Sequence, residues 1–318
     1  MKNIINYLHV PVMLTEAVAA LNIKPDGVYL DCTFGRGGHS TAILDKLNSK
    51  GKLLVIDLDP DAITIAKQLQ KLDPRVTVFH KSFDEVIQIC KEAAILKLDG
   101  VLLDLGVSSP QLEDFNRGFS FSHDGPLDMR MDHSKGEPAY KWLQFASKED
   151  ITQVLKEYGQ ERFASKIANA IVNIRDIKPV TTTFALVDII KKNYPKDQLY
   201  KFKHPATRTF QAIRIFINKE LLHLEQALPQ FIELLNTYGR LVVISFHSLE
   251  DIIVKNFINK YSVSELSKNY SIRKFPIINN DTANIKLKNL GKIKPSMFEI
   301  NNNNRSRSAI MRVAEKCA

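Results

Sequence analysis

Three stretches of the chain hold acids and glycines at spacings that suit a nucleoside-containing ligand. The first is Asp31-Cys-Thr-Phe-Gly35-Arg-Gly37-Gly38-His39-Ser40, directly after an apolar run. Glycine admits positive φ and lets a ligand approach the backbone closely, and a helix starting there offers free N–H groups. A tight turn that merely needs small residues is the competing reading. Asp57 stands 20 residues beyond Gly37, where a carboxylate can accept both hydroxyls of a ribose. Asp59, two residues on, reads as a helix cap. Phe83 suits the face of an adenine, or else the core. Asp104 closes Gly100-Val-Leu-Leu-Asp104, at the carboxyl edge where open parallel sheets bind ligands. In this order the features fit an adenosyl ligand.

The kind of adenosyl ligand follows from what is missing. A dinucleotide fingerprint, Gly-x-Gly-x-x-Gly, wants glycine or alanine at position 40, where this chain has Ser40, and no Gly-Lys-Ser/Thr follows to cradle a phosphate. S-adenosylmethionine has no phosphate and carries a sulfonium, so acids such as Asp31 and Asp104 suit it. The order of features matches a class I methyltransferase better than a dehydrogenase.

The elements that would position these residues can be read from apolar patterning. Val28–Cys32, Lys52–Asp57, Val76–His80 and Gly100–Leu105 read as buried strands, with helices predicted over Gly38–Leu47, Pro60–Leu69 and Phe83–Ala94. Strand–helix alternation at this spacing favours a parallel sheet covered on both faces. The rhythm stops after Leu105. Helices are predicted over Asp150–Tyr158, Glu161–Asn173 and Thr183–Lys192, followed by a long one from Phe210 to Leu228 that Pro229 interrupts. Strands return at Arg240–Ser245 and Ser308–Val313. The expected fold is therefore α/β, a Rossmann-like, mostly parallel sheet with an inserted all-helical domain. Its divisions are 1–110 for the first part of the sheet domain, 111–205 for the insertion and 206–318 for the second part with a basic end.

Composition narrows the partners. The chain has 318 residues, 44% apolar and 25% charged, which excludes a disordered or collagen-like chain and suggests about two domains. Its apolar runs are far shorter than the ~20 residues a bilayer span needs, and Met1–Tyr7 is too polar and short for a signal segment. Cys32, Cys90 and Cys317 are scattered, and the eight histidines show no metal spacing, so neither a disulfide framework nor a metal is expected. No membrane partner and a cytoplasmic location follow as expectations. The net charge is +9, and residues 252–318, with thirteen basic and four acidic side chains, carry all of it. Such a segment suggests a polyanionic partner, because Lys and Arg contacts to phosphate supply most non-specific nucleic-acid affinity; a merely solubilising tail is the alternative.

Longer blocks carry a family resemblance. Phe34-Gly-Arg-Gly-Gly-His39, Asp104-Leu-Gly-Val-Ser-Ser-Pro-Gln111, Arg117-Gly-Phe-Ser-Phe121, Asp124-Gly-Pro-Leu-Asp-Met-Arg-Met-Asp132, Lys203-His-Pro-Ala-Thr-Arg-Thr-Phe-Gln211 and Ser245-Phe-His-Ser-Leu-Glu-Asp251 resemble the bacterial 16S ribosomal RNA cytosine-N4 methyltransferases, the MraW or RsmH family. The resemblance implies methyl transfer from S-adenosylmethionine to the N4 amine of a cytidine in the decoding region, with 16S rRNA within the small ribosomal subunit as partner. It also implies that Gly37, Gly38, His39, Asp57, Phe83, Asp104 and Gln111 contact the cofactor, and that the inserted domain helps recognise RNA. One departure is Asn303-Asn-Arg-Ser-Arg-Ser-Ala309, where the family commonly has proline in place of Asn304; a looser turn is expected there.

Methylating an aromatic amine needs an acceptor for its proton, and Asp104, Ser108 and Ser109 are the candidates. Many amino methyltransferases use an Asp/Asn/Ser-Pro-Pro-aromatic turn here, which this chain lacks. Methylation at C5 would need a cysteine nucleophile, and neither Cys32 nor Cys317 is well placed. Phe119, Phe121 and Arg117 could meet a flipped or single-stranded base, or fold back onto the core. His204, Arg208 and Arg214 could touch phosphate or sit in salt bridges. His247 could reach substrate or lie in a turn that only caps a helix, and Arg305 and Arg307 belong to the basic end. The oligomeric state is open, with a homodimer compatible. A DNA amino-methyltransferase, a non-catalytic ribosome-binding factor and a small-molecule methyltransferase are the rival readings.

Overall fold

The computed structural model describes residues 11–198, 204–262 and 286–318. The opening Met1–Tyr7, Lys203 and three basic residues of the C-terminal segment, Lys268, Arg273 and Lys274, lie outside the described residues.

The first third alternates helix and strand: α1 (Leu14–Leu21), β1 (Val28–Asp31), α2 (Gly38–Leu44), β2 (Lys52–Asp57), α3 (Pro60–Leu72), β3 (Val76–His80), α4 (Val86–Glu92) and β4 (Leu98–Asp104). Helices follow: α5 (Ser109–Glu113), α6 (Ala139–Phe145), α7 (Lys148–Glu157), α8 (Ala164–Arg175), α9 (Thr183–Asn193), α10 (Ala206–Asn218) and α11 (Glu220–Leu234). The chain ends with β5 (Leu235–Ser245), α12 (Ser248–Ser262), β6 (Leu287–Ile293), α13 (Met297–Asn302) and β7 (Ile310–Lys316).

The seven strands form one sheet in the order β3-β2-β1-β4-β5-β7-β6. Strands β1 to β5 pair in parallel, and β7 runs antiparallel to both β5 and β6. The expected mostly parallel, Rossmann-like sheet is thus present, with β7 reversed between two strands of common direction.

Side-chain alternation explains why the central strands are apolar throughout. Leu30, Leu54, Ile56, Val101, Leu103, Leu241 and Val243 share a core with α4, α11 and α12. Their neighbours Tyr29, Leu53, Val55, Leu102, Val242 and Ile244 share another with α1, α2 and α3. Asp59 caps α3 by accepting the Asp61 N–H at 3.0 Å, and Pro60 fills the first helical position.

The described residues divide into two compact units. Those of Met1–Gly106 and Leu221–Ala318 form the sheet unit, and Val107–Glu220 forms the other. The second is built from α5 to α10 around its own core, which includes Phe119, Leu143, Ile167, Leu186 and Phe210. The boundaries differ from those read in the sequence: α10, placed after residue 205 with the sheet domain, clusters with the other helices. No helix among the described residues is long and apolar enough to cross a membrane.

Three elements depart from the sequence reading. The long helix breaks at Lys219, not at Pro229, which stays inside α11. Lys219 adopts φ 50° and its N–H closes on the carbonyls of Ile215 and Phe216, ending α10. Strand β6 was missed because all but its first residue are exposed, so it has no apolar period. The turn carrying Asn304 is closed rather than loose. The Asn303 side chain accepts the Arg305 N–H at 3.2 Å and caps a short 3-10 turn, with Asn304 in the first position, the one that also suits proline.

Candidate active site

The site residues of the sheet unit gather at the carboxyl ends of β1, β2 and β4. The chain leaves β1 through a turn pinned by two backbone bonds, Phe34 N–H to the Ile56 carbonyl at 3.1 Å and Gly37 N–H to the Phe34 carbonyl at 2.7 Å. Gly37 has φ 77°, and a Cβ there would lie 2.7 Å from the Phe34 ring; one on Gly38 would lie 2.1 Å from Pro11 Cγ. The chain itself thus requires both glycines. Ser40, in the position where a dinucleotide fold wants glycine, has a purpose of its own: its Oγ donates to Asp31 Oδ2 at 2.6 Å, both groups fully buried. Burial raises the Asp31 carboxyl, and the bonds from Ser40 and the Thr33 N–H pull against that rise.

Asp57 shares its carboxylate between two backbone donors, Gly35 N–H to Oδ2 and Asp59 N–H to Oδ1, each at 2.8 Å. A carboxylate has about four lone-pair directions, so each oxygen keeps one for a hydroxyl. Burial pushes Asp57 up to about 6, with the Asp59 and Gly35 N–H bonds opposing and the charges of Asp59 and Asp31 adding to the rise. Phe83 follows β3 in a short 3-10 turn, half-buried against the core.

The end of β4 is acidic. Asp104 is locked by its own N–H, which donates to Thr33 Oγ1 at 2.7 Å. Its Oδ2 lies 3.7 Å from His39 Nδ1, while Oδ1 is buried without a hydrogen-bond partner. Burial holds the carboxyl well above the usual range, and the charges of Asp31, Glu250 and Glu299 push it the same way. His39 is buried, with its Nε2 unpartnered, and burial lowers it to about 4 against the pull of a backbone bond to Val12. At neutral pH it carries no charge.

Two of these acids were not singled out in the sequence. Glu250 is buried, and its Oε2 accepts the Phe246 N–H at 2.8 Å and the His247 N–H at 3.3 Å. His247 thus sits in a turn held by a carboxylate four residues from Phe246, and its own Nδ1 accepts the Glu250 N–H at 3.4 Å. Glu299 accepts the Met13 N–H at 2.7 Å. The Glu250 spacing, three residues after His247 at a helix start, is a capping signal that could have been read. Glu299 likewise stands three residues after a helix cap, Ser296, but nothing local shows its side-chain partner, which is 286 residues away.

The remaining sequence-predicted residues lie in the helical unit or the C-terminal segment. Ser108 and Gln111 form a capping box on α5, with Ser108 N–H donating to Gln111 Oε1 at 2.8 Å, and Ser109 is the first residue of that helix. Arg117 is buried and donates to the carbonyls of Arg130 and Met131 at 3.1 and 2.8 Å. Phe119 is buried too, with the Arg117 guanidinium 5.8 Å from its ring centroid. For these two the structure replaces the base-contact reading with the core reading: both are already used inside the helical unit. His204 is exposed and stacks on Phe121 at 4.5 Å. Arg208, also exposed, donates to the Gln160 carbonyl at 3.2 Å. Arg214 is held in a bidentate pair with Glu220, both bonds at 2.8 Å. Arg307 is exposed, and Arg305 half-buried.

Comparison with known proteins decides the family. The model of the MraW methylase family matches residues 6–317. The chain belongs to the MraW methylase family.

Curated relatives of this MraW chain agree. A protein named ribosomal RNA small subunit methyltransferase H from Coxiella burnetii, strain RSA 331, is 50% identical over 310 residues, covering 97% of this chain and 98% of its own length. The protein of the same name from strain Dugway 5J108-111 matches to the same extent. Among solved structures, an rRNA methylase from Streptococcus thermophilus aligns over 98% of this chain and 99% of its own at TM-score 0.41 and 10% identity. As a member of the MraW family the chain is an enzyme, a methyltransferase dependent on S-adenosylmethionine.

Proposed function

We propose that the chain transfers the methyl group of S-adenosylmethionine to the exocyclic N4 amine of a cytidine in the decoding region of 16S rRNA, acting on the small ribosomal subunit. The observation that carries this reading is the acidic end of β4, where Asp104 keeps a buried, unpartnered Oδ1 among three further carboxylates. The name of the curated relatives, with its ribosomal small subunit, supports the RNA substrate.

The residues present fit the cofactor. Asp57 would hold the ribose with the lone pairs its backbone donors leave free. The turn through Gly37, Gly38 and His39 would run beside the adenosyl group, with Phe83 toward the adenine. When bound, S-adenosylmethionine supplies an electrophilic methyl on a sulfonium. The acids Asp31, Asp104, Glu250 and Glu299 favour that positive charge, and a neutral His39 does not oppose it.

The N4 lone pair is delocalised into the cytosine ring, so the amine must be held in line and its growing positive charge offset. Asp104 Oδ1 accepts an N–H of the amine and then its proton. Its raised pKa makes it a stronger base than a free carboxylate. Ser108 and Ser109, the other acceptors considered, sit at the start of α5. Methylation at C5 is disfavoured because burial, with the Asp31 charge behind it, pushes the Cys32 thiol well above its ordinary value and keeps it protonated.

The test is incorporation of labelled methyl into small ribosomal subunits and into duplex DNA, followed by nucleoside digestion. N4-methylcytidine from the subunits alone is expected. Label in duplex DNA would favour a DNA amino-methyltransferase, and no transfer even in a single turnover would favour a non-catalytic ribosome-binding factor.

A further inference from the structure

Helix α13 presents two different faces at the acidic end of β4. Glu299 ties it inward, accepting the Met13 N–H and adding its charge to the environment of Asp104. The preceding residue, Phe298, is 79% exposed, and Met297 beside it 71%. The helix that holds them out is well braced: Ser296 caps it by accepting the Glu299 N–H at 3.1 Å, and Asn302 Nδ2 donates to the Phe298 carbonyl at 2.8 Å.

Exposed cations stand on both sides of this helix in the chain. Lys292 on β6 and Lys294 in the connection precede it, and Arg307 follows it. Among the described residues none of these three has an ion-pair partner. The segment from 252 to the end carries the chain's whole excess of positive charge. An aromatic ring on a braced element, with unpaired cations a few residues away on either side in the chain, combines the two features that hold single-stranded nucleic acid: stacking on any base and attraction for the phosphates.

We propose that Phe298, with Met297 beside it, is a stacking platform for an unpaired base of the RNA substrate, whose flanking phosphates are held by Lys292, Lys294 and Arg307. This rests on the RNA reading of the preceding section. A protein partner, including a second copy of the chain, fits less well: Leu290 and Ile293 on β6 add exposed apolar area to Met297 and Phe298, but the unpaired cations call for a polyanion.

The experiment is titration of a fluorescent single-stranded oligonucleotide of decoding-region sequence with the full chain and its variants, repeated over a series of salt concentrations. Phe298→Ala should weaken binding about fivefold to a hundredfold while leaving the salt slope unchanged. Phe298→Leu, which keeps bulk without an aromatic face, should resemble Phe298→Ala, and Phe298→Trp should bind like the wild type. Lys292→Ala should instead lower the slope by about 0.7. Phe298→Ala and Phe298→Leu binding within about twofold of wild type would overturn the proposal. So would a shift in sedimentation showing that Phe298→Ala changes self-association and not RNA affinity. Methyl transfer by the wild type to small subunits, measured alongside, separates the two claims: transfer with unaltered Phe298→Ala binding removes the platform alone, whereas absence of transfer removes the RNA methyltransferase reading.

Discussion

His39 Nδ1 stands 3.7 Å from Asp104 Oδ2, and the other polar atom of each side chain, Nε2 and Oδ1, is buried without a hydrogen-bond partner. Burial keeps His39 neutral, near 4, so the contact is not an ion pair. Buried polar atoms are nearly always partnered. These two atoms, on side chains that meet at the end of β4, are the polar groups that the proposed ligand and substrate would partner.

Asp104→Asn tests the proton acceptor. The amide keeps the shape and loses the base, so the single-turnover rate of methyl transfer should fall by about a hundredfold or more. RNA affinity, measured by anisotropy, should stay within about twofold, because no phosphate contact is touched.

The pH dependence follows from two shifted groups of opposite sign. Asp57 is raised from 3.8 to about 6 in the folded chain, so the folded state binds more protons than the unfolded one between those values, and this group's contribution to stability falls as pH rises through them. His39 is lowered from 6.5 to about 4; its contribution is full above its unfolded value and is lost as pH falls toward the folded one. The two oppose each other between about 4 and 6. Asp57→Asn should therefore steepen the acid loss of the melting temperature, and His39→Gln should flatten it. Cofactor affinity follows the ionised Asp57. A ribose and a nearby sulfonium both favour the carboxylate, so calorimetric affinity should fall by up to about tenfold per unit as pH drops below about 6.

Arg117→Ala separates a structural arginine from an RNA contact. Removing a buried side chain that serves the carbonyls of Arg130 and Met131 should cost about 2 kcal/mol or more, read as a melting temperature lower by about 5 °C. Oligonucleotide affinity and its salt slope should not change. A lower slope with an unchanged melting temperature would return Arg117 to the RNA surface.

Neutralising Lys292, Lys294, Arg305 and Arg307 together should flatten the salt dependence of RNA binding by up to about 3 in the log–log slope. A constant slope would make the basic segment merely solubilising.

The sheet was legible in the sequence because its central strands are buried on both faces and read as unbroken apolar runs: Leu53 to Ile56 and Leu241 to Ile244 belong to two cores at once. The edge strand β6 was not, since only Leu287 of it is buried. Of the site, Asp57 and Asp104 could be found because each closes such a run. Ser40 stood in plain view and was read only as a missing glycine, although its hydroxyl is the partner of Asp31. The place of Glu299 at the site was invisible for a different reason: the spacing from Ser296 shows only a helix start, while its bond to Met13 joins opposite ends of the chain, and no spacing rule reaches that far. The break at Lys219 eluded the reading because lysine seldom adopts the left-handed conformation, whereas Pro229, the residue expected to end the helix, is accommodated within it.

The most direct test of the pocket is calorimetric titration of S-adenosylmethionine into the wild-type chain and into Asp57→Ala. Losing both ribose acceptors should weaken binding by about a hundredfold from a single site per chain. Equal affinity for the two proteins would contradict the placement of the cofactor at the ends of β1, β2 and β4.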